Sequence, residues 1–242
     1  MRADRSGAAD RSGPARPAVA LAAAAAALLA AGCAGTPARS PAAVGLPAAA
    51  AATASATWTG DWHGVVAPTV PTAQPRPSFA LTDTGGRPYD FAQATAGRAT
   101  LLFFGYTHCP DVCPTTMADL AAARQVVGAR VARQVTVVFV TTDPDRDTPA
   151  ALRRWLDQFD PAFVGLTGTP AQLAAAQRAV GVPLATADRA DGDPRGGQGS
   201  YLVSHAAQVL AIGPDNHVRV RYFAATTVAE YVADLPRLAA SL

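Results

Sequence analysis

The sequence contains no lysine, and its charges almost cancel. All 20 basic residues are arginine, and the formal net charge is +2. Four arginines and two aspartates precede the first apolar run, so the remaining chain carries 16 basic and 16 acidic residues. Aromatic residues make up only 7% of the chain and do not interleave with a basic patch. This composition argues against nucleic-acid binding.

The sequence also lacks an apolar run long enough to span a bilayer, which takes roughly 20 residues. Its longest run covers residues 18–31, follows an arginine-containing polar stretch and ends in Leu28-Leu-Ala-Ala-Gly-Cys33. A positive segment followed by a short apolar run is typical of an export signal. The small residues before Cys33 resemble a bacterial lipobox, although Ala30 stands where leucine is usual.

We therefore expect residues 1–32 to be a lipoprotein signal peptide and Cys33 to be the lipidation site. The protein would then be anchored by lipid to the cell membrane on its extracytoplasmic face, where disulfides can form. The alternative is an ordinary secretory signal in which Cys33 is incidental.

A tether is predicted over residues 33–77, because this stretch is rich in alanine, proline, threonine and serine and has no sustained periodicity. Trp58 and Trp62 lie within it. We interpret them as packing residues rather than a binding motif, and we do not expect His63 to be a ligand.

The region 78–242 is predicted to be one domain, in which strands alternate with helices. We expect two short strand pieces within 79–91, strands at 99–106, 135–141 and 163–166, helices at 115–131, 149–159, 170–180 and 226–242, and a hairpin over 201–223. This pattern predicts an α/β/α sandwich around a central mixed sheet. A domain of this size can bury an adequate core without disulfides, so Cys109 and Cys113 are candidates for a chemical role.

Cys109 and Cys113 lie four residues apart, between a predicted strand and a predicted helix. On a helical turn, residues with this spacing are neighbours, about 5–6 Å apart between Cβ atoms. The pair could bind one metal when reduced and could form a disulfide when empty. The positive end of the helix dipole should lower the pKa of a thiol there. Thiolates suit Cu(I) or zinc, and an added imidazole also suits Cu(II).

His205 is the strongest imidazole candidate, because it precedes an apolar strand expected to enter the sheet beside the cysteines. Its spacing alone leaves a structural role equally open. His108 adjoins Cys109 but should point away from the pair, and His217 lies in a predicted turn.

Three motifs carry a resemblance to a known family. They are Phe-Gly-Tyr-Thr-His-Cys-Pro-Asp-Val-Cys-Pro at 104–114, Thr-Asp-Pro-Asp-Arg-Asp-Thr-Pro at 142–149 and Tyr-Leu-Val-Ser-His at 201–205. The chain resembles the Sco (SenC) family of copper-binding proteins with a thioredoxin-like fold. That resemblance implies that Cys109, Cys113 and His205 bind one copper ion, as Cu(I) or Cu(II), and that the two cysteines form a redox disulfide.

The same resemblance implies a function. The family delivers copper to, or reduces cysteines of, the dinuclear copper A centre of cytochrome oxidase, so we expect a metallochaperone rather than an enzyme, with the copper A subunit as client. Ser204 departs from the family, which usually has aspartate before the histidine. Asp111 and Asp143 could shape the site electrostatically, but we favour a helix-capping role for Asp111 and a loop-ordering role for Asp143.

Two other functions stay open. A thiol–disulfide oxidoreductase typically has two residues between its cysteines and a cis-proline facing them. This chain has three intervening residues and no proline over residues 199–212, which counts against that function. A general copper store or sensor would need the same ligands, and the sequence does not separate it from a chaperone.

Overall fold

The computed structural model describes residues 62–66, 74–188 and 201–240. The predicted signal peptide, Cys33, Trp58 and most of the predicted tether lie outside these residues. None of the described helices is sufficiently long and apolar to cross a membrane.

A large mixed sheet forms the centre of the described domain. The strands are Val65–Val66 (β1), Ala80–Asp83 (β2), Pro88–Asp90 (β3), Ala99–Gly105 (β4), Val135–Thr141 (β5), Val164–Thr167 (β6), Thr186–Asp188 (β7), Leu202–Ser204 (β8), Gln208–Ile212 (β9) and Val218–Phe223 (β10). Within the described residues, eight strands join in the order β1-β10-β9-β4-β5-β6-β2-β3. Strands β4, β5 and β6 run parallel, and the other neighbours are antiparallel.

Helices cover both faces of this sheet. They are Phe91–Ala94 (α1), Val112–Val126 (α2), Gly128–Ala132 (α3), Pro149–Leu156 (α4), Pro170–Val180 (α5) and Val228–Ala240 (α6). One apolar core joins the sheet to α2, α4 and α6, and a second joins it to α1 and α5. Strand β4 supplies Leu101 and Phe103 to the first core and Leu102 and Phe104 to the second, because successive side chains point to opposite faces. The predicted α/β/α sandwich is confirmed.

The helix after the cysteines differs from the prediction. We expected one helix over 115–131, but α2 begins at Val112 and ends at Val126, and α3 follows as a separate short helix. Gly128 lies at the junction with φ of +79°, a left-handed conformation that interrupts a right-handed helix. In the last helix, by contrast, Pro236 is accommodated without ending α6.

The predicted hairpin over 201–223 was too long. Only β9 and β10 form it, and they pair antiparallel around the turn at 213–217. Strand β8 instead pairs with β7 in a separate two-stranded ribbon, with Ser204 opposite Thr186. His205 therefore lies between the ribbon and the central sheet.

The folded domain also begins earlier than predicted. Strand β1, which we had assigned to the tether, pairs with β10, and Pro75 forms a bridge with His217. Trp62 packs against the first core, as a packing residue should. His63 donates its backbone N–H to the Asp234 carboxylate, and its ring nitrogen lies 3.0 Å from the same group. Residues 62–66 and 74–77 therefore belong to the fold.

Candidate metal centre

The two cysteines lie where the central sheet ends and α2 begins. Strand β4 ends at Gly105. Cys109 follows in a turn, and its backbone N–H donates to the carbonyl of Tyr106 at 3.2 Å. Cys113 lies in the first turn of α2 and is fully buried, whereas Cys109 is half-buried before the helix. The spacing predicted that the two cysteines would share one face of a helix. They do not, because Cys109 lies before the helix begins.

The pair nevertheless meets, because the chain before α2 folds back over the helix. The backbone N–H of Cys113 points to Sγ of Cys109 at 3.5 Å. Asp111, which we expected to cap the helix, stands at the N-cap position, but its side chain makes no capping hydrogen bond. The capping interpretation of Asp111 was wrong, since the Cys109 sulfur occupies that end of the helix instead.

Gly105 makes room for the buried thiol. A Cβ at this position would lie 2.6 Å from Sγ of Cys113 and 3.0 Å from the Phe139 ring. Real Cβ atoms essentially never show a contact as short as the one to the sulfur, so the glycine allows the strand to pass directly beneath it. Its carbonyl also accepts from the backbone N–H of Thr142 at 2.7 Å, which joins the end of β4 to the loop after β5.

His205 reaches the cysteines from the opposite side. Its Nε2 lies 3.3 Å from Sγ of Cys113 and 4.0 Å from Sγ of Cys109. Among the described residues, these three ligand atoms all lie within 4.8 Å of one another. The structure thus brings together the three residues that the sequence singled out.

Aromatic side chains fix the plane of this imidazole. The rings of Phe103 and Tyr106 meet it edge to face, with centroids 6.0 and 5.6 Å away. Such contacts are favourable geometries for aromatic pairs. Nδ1 of His205 is buried and has no hydrogen-bond partner among the described residues, whereas Nε2 faces the sulfurs. The ring is therefore held by packing, with one nitrogen turned toward the thiols.

The two thiols differ in acidity. A hydrogen bond from Cys113 lowers the pKa of Cys109 to about 4, against a desolvation penalty, and the His205 side chain adds to the lowering. The same hydrogen bond, together with burial, raises the pKa of Cys113 far above its ordinary value. The metal-free pair consequently shares one proton, with the thiolate on the more accessible Cys109.

This donor set fits a soft metal ion. Two sulfurs and one imidazole nitrogen converge on one point, and soft thiolate ligands favour Cu(I) while imidazole also accommodates Cu(II). The other described histidines do not join them. His108 is exposed and bonds Thr107, and the ring of His217 faces its own neighbour Asp215.

The loop after β5 is hydrogen-bonded to the segment that precedes Cys109. Asp147 is fully buried and accepts hydrogen bonds from the backbone N–H and hydroxyl of Thr107 and from the hydroxyl of Thr141. Burial raises the pKa of this carboxyl, and the same hydrogen bonds oppose that shift. Asp143 orders its own loop, as we expected, because its backbone carbonyl accepts from Arg146 and Asp147.

Comparison with known proteins decides the family. The SCO1/SenC family profile matches residues 68–240. The chain belongs to the SCO1/SenC family. A protein of Stutzerimonas stutzeri whose name refers to copper binding is 35% identical over 150 residues, which cover 62% of this chain and 70% of that protein.

Solved structures of Sco proteins share the fold. ScoI of Bradyrhizobium japonicum, solved with copper bound, is 34% identical with a TM-score of 0.59, covering 67% of this chain and 98% of that one. Apo Sco1 of Thermus thermophilus is 32% identical with a TM-score of 0.64, covering 75% of this chain and 99% of that one. These matches confirm the thioredoxin-like fold, and copper is the ion bound in the first of them.

Sequence reasoning missed several supporting residues, notably Gly105, Tyr106, Asp147 and the pair of Arg146 with Tyr201. One signal was available, since a glycine at the end of a buried strand often marks a close approach of other atoms. The others depend on contacts between segments far apart in sequence, which periodicity does not reveal.

Proposed function

We propose that this protein is an extracytoplasmic copper metallochaperone and thiol redox protein that assists assembly of the copper A centre of cytochrome oxidase. The observation that carries the proposal is the convergence of Cys109, Cys113 and His205 within 4.8 Å. Copper-bound ScoI of Bradyrhizobium japonicum supports the choice of metal. The client follows from the resemblance to the Sco family.

In this proposal copper is cargo rather than a resident catalytic ion. The half-buried Cys109 offers its sulfur to the surface, whereas Cys113 is fully enclosed. A client ligand could therefore approach from the Cys109 side while Cys113 and His205 still hold the ion. Metal affinity also depends on deprotonated ligands, and binding releases protons. The low pKa of Cys109 makes that ligand available at neutral pH.

The unequal thiols also favour a reductase step on the client. The Cys109 thiolate would attack one sulfur of a client disulfide, forming a mixed disulfide and releasing the client's first thiolate. Cys113, after losing its proton, would attack the Cys109 sulfur and release the second client thiolate. The client then gains two electrons, and the protein retains a Cys109–Cys113 disulfide.

Membrane attachment is the remaining part of the proposal, and it rests on the lipobox-like residues 28–33. A lipid on Cys33 and a tether would hold the domain near a membrane-embedded client. In host cells, Cys33→Ser should release the protein from membranes or leave its signal peptide uncleaved. Unchanged partitioning into detergent, with an unchanged N-terminus, would contradict the lipid anchor.

A transfer experiment tests the main function. The full-length chain, purified in detergent and loaded with copper, is mixed with the metal-free copper A domain of the host oxidase. We expect the absorption of the copper A centre to appear with the wild-type chain and with Cys33→Ser, but not with Cys113→Ser. If copper stays on the protein while it reduces an oxidised client, the reductase step is the function. A protein that does neither would act as a copper store or sensor.

A further inference from the structure

The segment that carries His205 needs anchoring beyond its own strand. Strand β8 immediately precedes the histidine and pairs with β7 over three residues. All three residues of β7 are exposed, and an isolated two-stranded ribbon is marginally stable in water. Contacts of Tyr201, the residue directly before β8, can therefore help to place the imidazole, in addition to the ring contacts of the histidine itself.

Tyr201 is held by two side chains from the loop after β5. Its hydroxyl donates to Oδ1 of Asp143 at 2.6 Å. Nε of Arg146 donates to the other carboxylate oxygen of Asp143 at 2.5 Å, and a second guanidinium nitrogen donates to the backbone carbonyl of Tyr201 at 3.1 Å. Asp143, Arg146 and Tyr201 thus form a closed set of contacts, which we call the clamp.

Ring contacts extend the clamp to the imidazole. The guanidinium carbon of Arg146 lies 3.5 Å from the ring centroid of Tyr201 and 5.7 Å from that of Tyr106. Arginine stacks on aromatic faces through its planar, delocalised charge. Tyr106 in turn meets the ring of His205 edge to face. The clamp therefore touches both the start of the histidine segment and the ring that packs against the histidine.

The clamp is fixed to the rigid part of the fold. The backbone N–H of Asp143 donates to the hydroxyl of Thr141, the last residue of β5, at 3.0 Å. Thr142 bonds the carbonyl of Gly105, the residue beneath Cys113. Asp143 is 3% exposed, so its carboxylate has little water to replace the lost partners. The same loop consequently holds the strand end below the cysteine and the segment that carries the histidine.

We propose that Asp143 and Arg146 are positioning residues for His205, and that they act through Tyr201 to set the distance between the imidazole and the two thiols. This inference rests on the proposed copper site and assigns a role to the motif at 142–149. A purely structural clamp would contribute to stability without affecting the metal site.

Tyr201→Phe is the sharpest variant, since it removes one oxygen and keeps the ring beneath Arg146. Tyr222→Phe is its matched control. Tyr222 is also buried, and its hydroxyl also donates to a buried carboxylate, that of Asp234, at 2.9 Å. Both substitutions delete the same bond type, but only Tyr201 directly precedes the strand that leads to the histidine.

The experiment measures Cu(II) affinity by chelator competition, the sulfur-to-copper charge-transfer spectrum, and amide hydrogen exchange of the metal-free full-length chain. For Tyr201→Phe we expect affinity to fall about 10-fold, a typical loss for an outer contact of a metal ligand. The charge-transfer band should shift, and exchange at residues 202–205 should accelerate. Tyr222→Phe should match the wild type in all three measurements, even where its melting temperature falls.

Wild-type affinity, spectrum and exchange in Tyr201→Phe would overturn the inference, as would equal changes in both variants. The exchange measurement needs no copper, so it tests the positioning role even if the wild-type chain fails to bind the ion. That failure would contradict the proposed function alone.

Arg146→Lys provides a second variant, because lysine keeps the charge but lacks the planar group that stacks on Tyr201 and bonds its carbonyl. We expect a larger loss of Cu(II) affinity than in Tyr201→Phe. If Arg146→Lys does not fold, Tyr201→Phe and its control decide the question. A folded Arg146→Lys protein with wild-type affinity and spectrum would contradict the inference.

Discussion

The two ends of strand β4 carry two different kinds of polar site. At the amino end, Arg76 is buried and its guanidinium donates to five acceptors: the side chains of Asn216, Thr95 and Thr100, and the backbone carbonyls of Arg98 and Gly213. At the carboxyl end, two free thiols face an imidazole whose other nitrogen is buried and finds no partner in the part of the chain that the structure describes.

This difference distinguishes a structural site from one that awaits a ligand. The protein itself satisfies the polar groups around Arg76, so nothing further is needed there. The cysteine–histidine site leaves its donors turned toward one another, and its sulfurs share a proton that a metal would displace. A complete polar network stabilises the fold, whereas an incomplete one can exchange its partners.

Loss of a thiol should give the largest effect at the carboxyl end. Cys113→Ser should abolish tight copper binding, because one thiolate and an imidazole cannot replace the full donor set. Copper affinity should fall by more than the roughly 10–100-fold that is lost when an outer contact of a metal ligand is removed. Cys33→Ser is the control, since it changes a cysteine outside the described domain. Competition titration of both reduced proteins checks this, and tight copper binding by Cys113→Ser would place the site elsewhere.

Removal of Arg76 should lower the stability of the fold and leave copper binding unchanged. Arg76→Met keeps an unbranched chain but removes a donor from three buried acceptors, the hydroxyls of Thr95 and Thr100 and the carbonyl of Gly213. Each such group costs about 1–3 kcal/mol, so the free energy of unfolding should fall by about 3 kcal/mol or more. Copper stoichiometry of the folded fraction should stay the same. Urea unfolding measures the free energy of unfolding, and copper titration measures the stoichiometry. Weaker copper binding without a loss of stability would contradict the distinction between the two ends of β4.

Gly105→Ala should affect both properties at once. The new methyl would meet Sγ of Cys113 and the Phe139 ring at distances that require them to move. Overpacking a core costs about 1–3 kcal/mol, and displacement of the sulfur should weaken copper binding. Gly86→Ala is a useful control, because its added Cβ meets no atom within 4 Å, although its φ of +79° adds backbone strain. Equal copper affinities in the two variants would mean that Gly105 does not position the thiol.

The acidity of Cys109 predicts an unusual pH dependence. Its folded pKa of about 4 lies below the ordinary value of 9.0, so ionisation of Cys109 stabilises the fold above the unfolded pKa. That contribution is lost as pH falls through about 4. In metal-free Cys33→Ser, the rate of alkylation by iodoacetamide at Cys109 should be nearly constant between about pH 5.5 and 8. A tenfold rise per pH unit over that range would show an ordinary thiol.

Ser204→Asp should give the smallest effect. The substitution adds the carboxylate that the Sco family usually places before the histidine, and Ser204 is exposed on β8, next to His205. Support of a ligating histidine by a nearby carboxylate raises its basicity. We expect Cu(II) affinity to rise by up to about 10-fold and Cu(I) affinity to change less. Equal Cu(II) affinities would mean that the missing carboxylate plays no part in metal retention.

The sequence predicted the candidate ligands better than their supports. Cys109 and Cys113 stood out by their spacing between a strand and a helix, whereas His205 was selected by the resemblance to the Sco family, since its position alone left a structural role open. The course of the chain between elements was harder to predict. Tertiary contacts that outweigh the local pattern decide three features. These are the position of Cys109 at the N-terminal end of α2, the pairing of β8 with β7, and the folding of residues 74–77 onto the sheet.

Arg76 illustrates the same limit. Its neighbours in sequence are prolines, alanine and glutamine, which indicated a tether, yet its guanidinium bonds residues up to 140 positions away. Local composition carries no information about such partners. The cysteine motif differs because its two thiols are close in sequence, so part of its geometry is already local.

Copper titration of the reduced full-length chain tests the central claim most directly, with His205→Ala and His108→Ala compared in parallel. We predict one copper per chain for the wild type and for His108→Ala, with a sulfur-to-copper(II) charge-transfer band in both. His205→Ala should lose the Cu(II) band and keep weaker Cu(I) binding through Cys109 and Cys113. A wild-type Cu(II) band in His205→Ala, or no copper bound by the wild type, would contradict the account.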